Sequence, residues 1–101
     1  MPGELEQAVL IAILRLGGEA YGVPIRREIE THTERRIGPA SVYKTLQRLE
    51  AKGFVASRVG EPTPRRGGRR TLHYAITIGG REAVAVWLAG LRRLTTGLEV
   101  D

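Results

Sequence analysis

The stretch Gly38–Arg81, GPASVYKTLQRLEAKGFVASRVGEPTPRRGGRRTLHYAITIGGR, decides the fold of this 101-residue chain. Gly38-Pro39 opens a helix predicted over Ala40 to Lys52, because Val42, Leu46 and Leu49 recur at helical spacing as a narrow apolar stripe. Gly53 closes it. Phe54 to Val59 reads as a strand, with Val55 and Val59 on one face and Arg58 on the other. GEPTPRRGG, residues 60–68, is a loop. Arg69 to Ile76 returns as a second strand, in which Leu72, Tyr74 and Ile76 alternate with Thr71, His73 and Ala75.

Outward from this stretch the chain is helical. Leu5, Val9, Ala12, Ile13 and Leu16 share one face of a first helix over residues 4–16, stopped by Gly17-Gly18. Tyr21-Gly22 is a turn. A second helix runs from about Pro24 to Thr33, with Ile25 and Ile29 inward, His32 near the same face, and Arg26, Arg27 and Glu30 outward. Thr77 can cap a last helix from Gly80 to about Thr95. The order is α-α-α-β-β-α, a mainly α fold with a small β-hairpin. Its parts are those of a winged helix-turn-helix. Residues 1–78 form the winged unit and 79–101 a C-terminal dimerisation helix, within one structural unit.

Composition narrows the function. With 16 Lys and Arg against 11 Asp and Glu, the net charge of +5 favours an anionic partner. The absence of cysteine excludes disulfides and thiolate sites. The apolar run Ala8–Leu14 is too short to span a bilayer and is preceded by acidic residues. These features predict a soluble, cytoplasmic (nucleoid-associated) protein with no membrane partner. No histidine–carboxylate pair has metal-ligand spacing, and no nucleophile–base set or phosphate-binding GK[ST] loop is present. The chain therefore reads as neither an enzyme nor a protein with a metal or cofactor.

Two constellations point to a double helix. The polar side of the third helix offers Ser41, Tyr43, Lys44, Thr45, Gln47 and Arg48. Gln can pair bidentately with adenine, Lys or Arg can contact guanine or phosphate, and a hydroxyl at a helix start can hold phosphate. The bland alternative is an ordinary solvated face. In the loop, Arg65, Arg66, Arg69 and Arg70 crowd like charges that a fold has no need of and that phosphates would relieve. The alternative there is a solvated loop. A third set lies on the last helix, where Val84, Trp87, Leu88, Leu91 and Leu94 line one arc. With Leu5 and Val9 of the first helix they are expected to form a homodimer interface, since such a stripe is more than a small domain leaves exposed. For Trp87, interface packing is preferred. The alternative is the border of a cavity for a flat aromatic ligand.

Four motifs in order, GEAYGVPIRREIE (18–30), IGPASVYKTLQRLEAKGFV (37–55), the GRR…Y of the second strand (68–74) and TIGGRE (77–82), resemble the PadR-like transcriptional regulators. The resemblance covers nearly the whole chain. It implies a homodimeric bacterial or archaeal repressor that contacts DNA through the third helix and wing and dimerises through the first and last helices. By that resemblance Ser41, Tyr43, Lys44 and Gln47 face DNA. Lys44 departs from it, standing where many members carry Pro. The chain resembles the branch with a short C-terminus, some members of which hold flat drugs between tryptophans. The expectation is thus a regulator binding an inverted repeat as a two-fold dimer. Its rivals are a winged-helix protein-interaction module without DNA binding, and a repressor whose main task is sensing an aromatic ligand.

Overall fold

The computed structural model describes residues 3–60 and 71–98. Seven elements follow one another: α1 (Glu4–Arg15), β1 (Glu19–Tyr21), α2 (Gly22–His32), α3 (Pro39–Ala51), β2 (Val55–Val59), β3 (Leu72–Ile76) and α4 (Ile78–Thr95). The predicted order holds, with one addition. The stretch before the Tyr-Gly turn is a strand, and it pairs antiparallel with β3 in the register Glu19↔Ala75, Ala20↔Tyr74, Tyr21↔His73. Three residues are too few to display an alternating pattern, which is why sequence reasoning passed over it. The sheet order is β1-β3-β2, so the expected hairpin is two of three strands.

Helix ends follow backbone chemistry. Gly17 and Gly53 take φ of 99° and 80°, a left-handed turn that lets the chain reverse and satisfy the last carbonyls. After α1, the Gly18 N–H donates to Ile13 O; after α3, the Phe54 N–H donates to Leu49 O, both at 2.9 Å. α2 begins at Gly22 rather than Pro24, which puts Pro24 inside the first turn where no N–H is required. Thr77 caps α4 as expected, accepting from the Gly80 N–H at 3.0 Å, and its hydroxyl donates to Gly53 O at 2.6 Å. That second bond fixes the start of α4 to the α3–β2 turn.

Val9, Leu10, Ile13, Ile25, Val42, Leu46 and Leu49 are fully buried where α1, α2 and α3 meet, and Val55, Tyr74, Ile76 and Val84 close the core from the sheet and α4. Each such aliphatic side chain stabilises the fold by roughly 1.5–3 kcal/mol. The hairpin projects beyond this core. Val55 is buried, but Val59, which shares its strand face, and the cross-strand partner Leu72, which shares a face with buried Tyr74 and Ile76, are exposed. The pleat is as expected; the helices end before the strands do. His32 is also corrected: it is exposed and lies 2.9 Å from Glu28, which shares it with Arg15.

Candidate nucleic-acid interface

α3 separates its residues cleanly. Val42, Leu46 and Leu49 face the core, while Ser41, Tyr43, Lys44, Gln47 and Arg48 are exposed. The outer side therefore carries the groups singled out from the sequence, with one exception. Thr45 is 2% exposed, and its hydroxyl donates to Ser41 O at 2.7 Å, so its polar group is satisfied within the helix and offers nothing outward. A Thr two positions after Tyr43 sits on the boundary of the apolar stripe, and its short side chain folds back rather than reaching out.

The charge on this side is unmatched. Four cations elsewhere are satisfied in place: Arg15 by Glu28, Arg35 by Glu4, Lys52 by Glu6 and Arg58 by Glu19. Among the described residues Lys44 and Arg48 have no ion-pair partner, a condition they share with Arg26, Arg27 and Arg36 and with the arginines of α4. The acid on the rim of α3, Glu50, is turned away. Its carboxylate accepts from the Ser57 hydroxyl at 2.5 Å and the Ser57 N–H at 3.0 Å. The hydroxyl first, and then the N–H, hold this carboxyl below the usual carboxylate range. Sequence reasoning missed this tether, because two residues seven positions apart across a turn have no periodic signature.

Toward the outer end of the paired strands a second tether spans the sheet. Glu19 on β1 accepts from Arg58 Nε and Nη2 on β2 at 2.9 and 2.6 Å, passing over β3. Arg58 hydrogen bonding lowers the Glu19 carboxyl despite the opposing effect of burial. His73 lies 4.0 Å from the same carboxylate, and its ring meets Tyr21 at a 5.4 Å centroid distance. A Cβ on buried Gly60 would come within 2.6 Å of that imidazole, so a side chain there would push the His73 ring out of this position. The charge of Arg58, which the sequence left open, is thus used inside the protein. Arg65, Arg66, Arg69 and Arg70 lie outside the described residues.

α4 presents the opposite chemistry. Of the residues expected at an interface, Val9 and Val84 are buried in the core of their own chain and are not surface groups. Leu5 and Trp87 are half-buried. Leu88, Leu91 and Leu94 are exposed, Leu94 at 77%, and Val86, absent from the expected set, is exposed at 69%. Beside them a groove of about 250 Å³ runs between α1, α2 and α4, floored by Ala8, Ile11, Ala12, Ile29 and Trp87. The boundary drawn at residue 78 falls at the first residue of α4, whose first half packs on the core through Gly80 and Val84.

Three helices packed around a core, with a three-stranded sheet whose hairpin projects beside an exposed polar helix, define a winged helix. Residues 10–86 match the family model of the transcriptional regulator PadR-like family, and the chain belongs to that family. It is thereby a member of a family of regulators rather than of enzymes. No curated protein matches the chain by sequence. Among solved structures, it is similar to a PadR family transcription regulator from Clostridium difficile, with TM-score 0.80 and 19% identity over 93% of each chain. Bacillus subtilis PadR in complex with operator DNA gives TM-score 0.70 and 22% identity, covering 84% of this chain and 46% of that one. A winged-helix DNA-binding protein from STIV gives TM-score 0.72 and 12% identity over 92% of each. Among the described residues no helix is long and apolar enough to cross a membrane, and no cluster of metal-ligating side chains occurs.

Proposed function

We propose that this protein is a sequence-specific DNA-binding repressor that engages an inverted repeat as a homodimer. The observation that carries the reading is the outer side of α3. It combines exposed Ser41, Tyr43, Gln47 and two cations without carboxylate partners, and its one rim acid is folded back onto β2. A helix of this width fits the major groove, where Gln47 can read a base edge and Lys44 or Arg48 can bind guanine or phosphate. The arginines at 65, 66, 69 and 70 add contacts to flanking phosphates or a narrow minor groove. The similarity to a PadR solved in complex with operator DNA supports DNA as the partner. The exposed leucines of α4 pair two protomers, so that two α3 helices stand about 34 Å apart on successive major grooves.

Selection from random duplexes, followed by a salt series on the winner, tests this. The expected result is a preferred palindromic site with an affinity that falls steeply as salt rises. A protein that bound duplex DNA no better at low salt than at high would leave the interaction-module rival standing. The apolar groove beside Trp87 favours a second reading, in which a flat aromatic ligand enters there and alters the angle between the α4 helices. Quenching of the Trp87 fluorescence by aromatic cations, with release of the selected duplex, is its expected signature.

A further inference from the structure

Gly22, the first residue of α2, has no conformational reason to be glycine. It is helical, buried and outside the positive-φ set. What it supplies is space. A Cβ built there would lie 2.9 Å from both Cζ and Oη of Tyr43 and 3.1 Å from Cε1. The far end of the Tyr43 ring therefore rests against the start of α2, where any other residue would put a side chain. Tyr43 nevertheless keeps 42% of its surface open, on the side of α3 that carries Lys44 and Gln47. The ring is thus held at its tip from behind and presented in front. Held this way, a phenol loses little freedom on binding, and its hydroxyl can donate to a phosphate oxygen.

We propose that Gly22 is a positioning residue for DNA binding: by leaving room for the Tyr43 ring, it fixes where the Tyr43 hydroxyl meets the duplex. The proposal rests on the DNA-binding reading above. The conflict created by a methyl group at position 22 falls on the far end of a side chain rather than on backbone. Gly22→Ala should therefore displace the ring more than it disturbs the core.

The test is a double-mutant cycle with Gly22→Ala and Tyr43→Ala, read as affinity for the selected duplex and, without DNA, as thermal midpoint. Gly22→Ala alone should weaken binding about tenfold, the worth of one hydrogen bond to a charged group. In the Tyr43→Ala background it should change affinity by less than about twofold, because the ring it displaces has gone. Tyr43→Phe should lose as much as Tyr43→Ala, since the hydroxyl makes the contact. Equal losses in both backgrounds, or a Gly22→Ala protein that binds like the parent, would overturn the proposal while leaving the DNA reading intact. If Gly22→Ala unfolds the chain, restoration of the midpoint by Tyr43→Ala supports the steric coupling, and no restoration overturns it. A parent that binds no duplex removes the DNA reading and this inference together.

Discussion

α3 and α4 are both amphipathic, yet they finish their burial differently. α3 hides its aliphatic stripe of Val42, Leu46 and Leu49 completely inside its own chain, and the side it shows to water is mainly polar. α4, at 18 residues about 27 Å long, buries Gly80 and Val84 and leaves Ile78, Val86, Leu88, Leu91 and Leu94 exposed. A solvated polar face is stable alone, and its use must be argued from its charge. An exposed row of leucines costs solubility for as long as it stays uncovered. The difference separates two kinds of surface: α3 buries its apolar side and shows a charged one, whereas α4 shows an apolar row, the surface on which the proposed dimer rests.

The largest effect should come from breaking the α4 side. Leu91→Asp places a charge in the exposed row without touching the core, so the chain should stay folded and become monomeric by sedimentation. With only one half-site engaged at a time, affinity for the selected duplex should then fall by about 100-fold or more. A monomeric parent with full affinity would show that the exposed row serves another purpose. Next in size is the wing. Replacing Arg65, Arg66, Arg69 and Arg70 together by Ala should weaken binding to every duplex alike and reduce the salt slope by up to about 4, roughly 0.9 for each phosphate left without its cation. Unchanged binding at moderate salt would remove the wing from the interface.

How far the sequence displayed this contrast depends on the range of the interactions involved. The stripe of α3, the Gly53 stop and the Thr77 cap were legible because each is settled within one or two turns of chain. The outward groups Ser41, Tyr43, Lys44, Gln47 and Arg48 followed from the same period. Thr45 did not, because a residue at the edge of a stripe is assigned by packing against the neighbouring elements. Val9 and Val84 were read as interface residues because a helical wheel shows an apolar face without saying which neighbour covers it; the core of the same chain does. Strand β1, the Glu19–Arg58 tether and the Gly22–Tyr43 contact join residues about 20 or more positions apart and leave no local pattern.

A smaller effect sharpens the α3 side by dividing specificity from attraction. Gln47→Ala should cost about tenfold on the selected duplex and little on random DNA, because a bidentate amide distinguishes bases while contributing little to general attraction. Lys44→Ala should instead weaken both and lower the salt slope by about 1. If the two variants behaved alike on both duplexes, the outer side of α3 would be an electrostatic surface without base readout.

The smallest effect concerns what joins α3 to the hairpin. Glu50 accepts both Ser57 donors, and those bonds hold its carboxyl below its ordinary value of 4.5. A carboxyl depressed by folding stabilises the native state above its unfolded value and loses that contribution as pH falls through the folded one. Glu19 and Glu28 are depressed by their arginine partners and act with the same sign, so the parent should lose thermal stability on acidification below about pH 4.5. In Glu50→Gln an amide oxygen can still accept from Ser57, but the share that comes from the carboxylate charge is gone at every pH. The gap in thermal midpoint between parent and variant should therefore be widest near neutrality and close in acid. A gap that stayed constant down to about pH 3 would mean that Glu50 supports the α3–β2 junction by packing rather than by its charge.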